Sequence, residues 1–73
     1  MISMLPLTTM EIGVPGTIKK ICGNEEIHRF LKSLGFVAGS QLTVIADISG
    51  NLIVNVKESR VALNREMARK IYV

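Results

Sequence analysis

The spacing of apolar and polar positions changes along the chain, and the change marks its elements. Between Glu25 and Leu34, the residues Ile27, Phe30, Leu31 and Leu34 fall at i, i+3, i+4 and i+7. That spacing gathers apolar side chains on one face of an α-helix. The flanking residues agree with it. Asn24 can accept from a free amide of the first turn, and Glu25 and Glu26 complement the positive helix start. Gly35 suits the left-handed residue that ends a helix, and Phe36 after it can pack back on Leu31. The pattern predicts a helix over about 25–34. Its polar face carries Glu25, Arg29 and Lys32, and Glu25 and Arg29 are spaced i, i+4 for a weak ion pair.

Beyond the helix the period drops to two. In Val37-Ala38-Gly39-Ser40, Gly39 fits the third position of a type II turn. Gln41–Asp47 is rich in β-branched residues and reads as a strand. Ser49-Gly50-Asn51 reads as a hairpin turn. Leu52–Lys57 then alternates, with Leu52, Val54 and Val56 inward. Glu58-Ser59 turns the chain into a further strand at Arg60–Leu63. Asn64 can cap a single helical turn at Arg65–Ala68, and Ile71–Val73 closes as a last strand.

The opening residues are more punctuated. Thr8 and Glu11 have capping-box spacing, which predicts a helical turn started by Thr8 and stopped by Gly13. Val14-Pro15-Gly16 reads as a turn. Thr17–Cys22 follows as a short strand whose adjacent Lys19 and Lys20 break the alternation, as a bulge or a twisted edge would. The expected architecture is mainly β: a small SH3-like barrel of five strands, one short helix and one or two helical turns. The barrel is preferred because the strands are short, the turns are tight and closure removes exposed edges. The final helical turn between two strands matches an SH3-like layout. No repeat, linker or low-complexity stretch divides the chain, so a single domain over 1–73 is expected.

Composition narrows the function. The chain has 73 residues, of which 48% are hydrophobic, with no Trp, one Tyr and two Phe, so its core must be aliphatic. A charged fraction of 21% and a mean hydropathy of +0.36 argue against disorder. A single cysteine, Cys22, cannot form an internal disulfide, which suggests a reducing cytoplasm. No apolar run is long enough to span a bilayer. The first residues lack the basic and apolar regions of a secretory leader. No membrane insertion is expected.

The net charge is +3, and the excess is concentrated in Arg60, Arg65, Arg69 and Lys70. These four are a candidate basic patch for nucleic-acid phosphates, although Glu66 sits among them and solvated surface charge is the plainer reading. Catalysis finds no footing. The chain lacks a phosphate-binding glycine loop, and its one histidine, His28, has no evident nucleophile to serve. Cys22 and His28 form no metal-ligand pair motif, and the carboxylates Asp47 and Glu58 are too few for an oxygen cage. Cys22 is better read as a small buried hydrophobe and His28 as a surface residue. No enzyme activity, metal site or cofactor is therefore expected. The scarcity of aromatics also argues against a polyproline groove and against base stacking.

Three segments carry a family resemblance. Leu7, Met10, Gly13 and Gly16 resemble a lead-in of the form L-x-x-L/M-x-x-G-x-x-G. Arg29 through Gly39 resemble R-x-L-x-x-L/M-G-L/F-x-P-G, with Ala38 where proline is usual. Arg60 through Val73 resemble R-x-A-L-x-R-x-x-A-x-x-I-x-V. In this order and spacing the chain is similar to the FeoA family, the small ferrous iron transport protein A. The resemblance implies an SH3-like barrel in the bacterial cytosol, active in iron homeostasis beside the membrane transporter FeoB, whose cytosolic part binds GTP. The expected role is a non-catalytic accessory or regulator acting through protein–protein contact. Leu34, Gly35, Gly39 and Leu63 are expected to serve packing and turns. Arg29, Lys32, Phe36 and Val37 are the expected partner contacts. A weak homo-oligomer through an open strand edge such as Thr17–Cys22 is also allowed.

Overall fold

The computed structural model describes residues 4–73; the first part of the stretch read for a leader, residues 1–3, lies outside them. In chain order the elements are a 3-10 turn at Leu7–Thr9, β1 at Pro15–Thr17, β2 at Lys20–Ile21 and α1 at Glu25–Ser33. Next come β3 at Gln41–Ile48, β4 at Asn51–Val56, β5 at Ser59–Asn64, α2 at Arg65–Ala68 and β6 at Ile71–Tyr72. Four strands form an antiparallel sheet in the order β1-β3-β4-β5, and β2 pairs with β6 in a second, two-stranded sheet. The mainly β class holds, with six strands in place of the five expected, but the barrel does not close: the strands lie in two sheets, and β1 and β5 are edge strands of the larger one among the described residues.

The extra strand arises where one was expected to run through. Thr17 pairs with Gln41 of β3. Two residues later, the Lys19 amide donates to the Tyr72 carbonyl at 2.8 Å, and Lys20 pairs with Tyr72 of β6. Between them Ile18 is buried, and it holds the 37–40 turn through Ile18 N to Ser40 O at 2.9 Å and Gly39 N to Ile18 O at 2.8 Å. The chain thus leaves one sheet and joins the other at Ile18. Both Lys19 and Lys20 remain exposed at this corner, which resolves their broken alternation.

Two further readings of the opening residues are corrected. Thr8 does not cap a helix: it lies inside the 3-10 turn that follows Pro6, where no side chain caps the start and Thr9 Oγ1 donates to the Pro6 carbonyl at 2.8 Å. Pro15-Gly16 is strand, not turn. The reversal falls earlier, at Gly13, whose φ of +87° only glycine adopts without strain. Proline is tolerated in β1 because this is an edge strand, paired with β3 alone among the described residues.

The two hairpins have two-residue loops. Ser49 and Gly50 have φ of 51° and 86° between the paired Ile48 and Asn51, as in a type I′ turn. The second loop is Lys57-Glu58, one residue before the expected position, with Lys57 at φ 54° and Val56 paired to Ser59. A bulge between Val44 and Ala46 bends β3. Leu52, Val54 and Val56 point inward as expected, and join Leu7, Ile18, Leu31, Phe36, Leu42, Val44, Leu63, Ala68 and Ile71 in one aliphatic core. Burying such side chains is the main stabilising term in a chain of this size.

Helix α1 forms as its signals predict. Asn24 Oδ1 accepts from the Ile27 amide at 2.9 Å. At the other end the Gly35 amide donates to Lys32 O at 3.0 Å and the Phe36 amide to Leu31 O at 2.9 Å, with Gly35 at φ +102°. These are the two bonds of a Schellman stop. The apolar stripe is narrower than its sequence suggests. Leu31 is buried and Ile27 and Leu34 half-buried, whereas Phe30 is 48% exposed. At 100° per residue Phe30 lies off the flank of the seam that the short helix presents to the barrel. The Glu25–Arg29 pair does not form among the described residues, where the recorded ion pair is Arg65–Asp47 at 3.2 Å.

Candidate functional site

A groove of about 520 Å³ opens between the corner of the chain at β2 and one flank of α1. Three local features build it. The sheet exchange at Ile18 carries Lys19, Lys20 and Ile21 to one wall. The other wall comes from His28 and Lys32, which are one helical turn apart on the same flank of α1. The Schellman stop then sends the chain down as Phe36 and along the base as Val37 and Ala38. The type II turn fixes that last stretch through Ser40 N to Val37 O at 3.0 Å and Gly39 at φ +92°.

The groove is sharply divided by chemistry. Its titratable lining residues, Lys19, Lys20, His28 and Lys32, are all basic, and among the described residues no carboxylate lines it. The rest of the lining, Ile21, Phe36, Val37 and Ala38, is apolar. Cationic walls over an apolar floor suit a ligand that carries both negative charge and an apolar group.

Of the four expected partner contacts, the structure brings Lys32, Val37 and Phe36 to this groove, and Arg29 stands exposed beside it on α1. Phe36 needs correction as a surface contact: it is 0% exposed, because the Schellman bond turns its ring inward under the floor. Sequence reasoning missed Lys19, Lys20, Ile21 and His28. The available signal was the i, i+4 polar flank of His28 and Lys32; the β2 wall depends on a long-range strand exchange that no local pattern encodes.

The packing residues sit as the motif reading requires. Leu63 is buried opposite Leu52, Leu34 and Gly35 are half-buried, and Gly39 is exposed at its turn. The four basic residues near the end fall into two groups. Arg60 pairs across from Asn55, beside the β4–β5 loop. Arg65 lies some five strand residues further on, roughly 16 Å away along β5, and is tied to Asp47 Oδ2 at 3.2 Å. Arg69 is one helical turn from Arg65, its amide donating to Arg65 O at 2.9 Å. Arg69 and Lys70 line a second cleft of about 480 Å³ together with Glu66, Cys22, Ile27, Asn64 and Met67. Arg60 is therefore separate from an Arg65–Lys70 group that Asp47 and Glu66 partly neutralise.

Cys22 is half-buried at the edge of that second cleft, a more open position than the buried one expected. Asp47 and Glu58 end at opposite ends of β4, near the first and second hairpin loops. Among the described residues, no three His, Cys, Asp or Glu side chains gather as a metal site would require. No helix among them is long and apolar enough to cross a membrane.

Comparison with known proteins places this architecture. Residues 5–73 match the family model of the FeoA domain. A protein of Methanocaldococcus jannaschii provisionally named Fe(2+) transport protein A is 36% identical over 70 residues, covering 96% of this chain and 85% of that one. The crystal structure of an iron uptake regulatory protein (FeoA) superimposes with a TM-score of 0.89 at 26% identity, over 99% of this chain and 96% of that chain. Zinc-complexed FeoA of Stenotrophomonas maltophilia gives a TM-score of 0.76 at 25% identity, over 89% and 84%. That protein is described as a procaryotic SH3 domain protein, with a suggested role as a ferrous iron transport activating factor. The SH3-like fold expected from the sequence is the fold of these relatives.

Proposed function

The chain belongs to the FeoA family, and from that premise we propose that it is a non-catalytic accessory factor of ferrous iron uptake. In this reading it works at the cytosolic face by docking on the GTP-binding part of a FeoB-type transporter. The observation that carries the reading is the groove. It joins Lys32 and Val37, exposed neighbours of the matched motif residues, to Lys20 and His28. Arg29, exposed beside it, extends the contact. A ligand-binding face without a nucleophile–base pair or a metal cluster fits a binding module better than a catalyst.

The alternative is a nucleic-acid-binding module that uses Arg60, Arg65, Arg69 and Lys70. Phosphate tracking needs basic side chains along one surface; Arg60 stands apart from the Arg65–Lys70 group, and Arg65 is tied to Asp47, so the groove supports the docking reading better.

The test is an NMR titration of the labelled protein with the cytosolic GTP-binding domain of the cognate transporter, once with GDP and once with a GTP analogue. Saturable shifts at Lys20, His28, Lys32 and Val37 are expected, and the double charge reversal R29E/K32E weakens them while the fold stays intact. Absence of shifts in both nucleotide states at about 1 mM, where a complex worth about −4 kcal/mol is visible, would overturn the proposal.

A further inference from the structure

The groove's chemistry specifies what it holds. We infer that it takes an extended, acidic segment of a partner protein, with one apolar side chain seated on the floor and carboxylates on either side of it. The inference deepens the docking reading above and rests on it for the place of contact.

Three observations converge. Charge comes first: Lys20 and Lys32 line the groove from β2 and α1, with His28 alongside, and no acidic residue among the described ones lines it. Such a channel attracts carboxylates and rejects a basic segment by repulsion. The floor comes second. Ile21, Val37 and Ala38 offer apolar surface over the buried Phe36. A bare phosphate chain gains nothing from such a floor. The Phe36 ring, 0% exposed, offers a nucleobase no face to stack on, and His28 is the one ring among the described lining residues that could. An aliphatic or aromatic side chain of a peptide uses the floor directly.

The third observation is the backbone. β2 has β6 as its sole strand neighbour among the described residues, and β2 also forms a groove wall. A strand with one unpaired side accepts an extended segment by main-chain hydrogen bonds. An extended segment alternates its side chains, so an apolar residue directed at the floor leaves its neighbours free to turn toward the walls. The two walls then read charge, the floor reads shape, and the strand edge fixes the segment's direction.

The test uses short synthetic peptides and the labelled full chain. The first peptide places a single leucine among alternating aspartates and serines. The second replaces each aspartate with lysine, and the third replaces the leucine with serine. Heparin is the non-peptide polyanion control. The acidic peptide is expected to give saturable shifts at Ile21, His28, Lys32 and Val37. Loss of the leucine or the variant K20E/K32E should each weaken it by roughly tenfold, and added salt should weaken it further. The V37S variant, at a half-buried position, should weaken the leucine peptide but not change the response to salt.

Equal binding of the lysine peptide would overturn the inference. So would stronger binding of heparin with the same footprint, or the absence of shifts from any peptide at about 1 mM. The transporter domain separates the two readings. If it binds at these residues while the peptides do not, the docking reading stands and the acidic-segment inference fails. If the acidic peptide binds and the transporter domain does not displace it, the groove keeps its ligand class and the docking reading fails.

Discussion

Replacing Phe36 with alanine separates a core role from a contact role at the one motif residue that the two readings dispute. The ring is 0% exposed and is the largest fully buried side chain. Deleting a buried phenyl costs about 3–5 kcal/mol, made up of lost transfer energy and the cavity left behind. A chain of this length has a total stability of about 4–11 kcal/mol. F36A should therefore lose about a quarter or more of its stability, and at the lower end of that range it lies near the folding threshold. The milder F36L keeps most of the volume and should lose about 1–1.5 kcal/mol. Urea unfolding followed by far-UV circular dichroism measures both, since the chain has no Trp to report by fluorescence. With a slope of about 1 kcal/mol per molar urea, the F36A midpoint falls by about 3 M or more, and that of F36L by about 1–1.5 M. V37A, at a half-buried position, is the control and should move the midpoint by less than about 1 M. An F36A midpoint within about 0.5 M of the parent would refute the argument and return Phe36 to the surface contacts.

Other outcomes follow from single positions. Gly39 has φ +92° and open space where a Cβ would sit, so G39A should cost about 1–2 kcal/mol from backbone strain alone, measured by the same urea series. At Gly16 φ is ordinary and the added Cβ meets the flexible end of Met10, its Cε at 2.7 Å; G16A should therefore cost less than G39A. Asn64 Oδ1 accepts from the Met67 amide at 2.9 Å, and N64A should cost about 1 kcal/mol and speed hydrogen exchange at that amide. The Arg65–Asp47 pair is 3.2 Å apart but 53% and 36% exposed. A double-mutant cycle should give at most about 1 kcal/mol of coupling, fading as salt is added.

What the sequence revealed, and what it hid, divides by the range of the interaction. Helix α1, with Asn24 at one end and Gly35–Phe36 at the other, was legible because every signal acts within a few residues. The same is true of the inward face of Leu52, Val54 and Val56, where a period of two marks the buried side. The turn at Val37–Ser40 was legible too, because Gly39 supplies the conformation it needs. The opening residues misled because Thr8, Pro15 and Gly16 have strong local preferences that tertiary pairing overrides. β1 exists as a strand through its ladder to Thr43, Leu42 and Gln41, which no window around Pro15 contains. Phe30 misled in the opposite sense: its spacing is helical, but a helix touching the barrel along one narrow seam cannot bury four positions. The candidate site was half visible. Lys32 and Val37 are legible as exposed neighbours of the motif residues, whereas Lys19 and Lys20 acquire their place only when the chain changes sheets at Ile18. The basic residues from Arg60 to Lys70 looked like one group because they are close in sequence, but β5 carries Arg60 away from Arg65, which stays one helical turn from Arg69.

The pairing of β6 also bears on how the chain folds as it is made. Ile71 and Tyr72 pair with Ile21 and Lys20, Tyr72 forms a bridge with Pro6, and Leu5 and Val73 exchange amide–carbonyl bonds at 2.9 Å. The β1-β3-β4-β5 sheet has all its strands once Asn64 has left the ribosome, and the residues of α1 have emerged well before that. Residues 5–6 and β2 still lack their strand until residues 71–73 emerge. During that interval both sides of β2 are unpaired, next to the groove. The groove wall is at that stage an unpaired strand edge of the kind that joins other chains, and its exposed Lys19 and Lys20 are the residue type that blunts such edges.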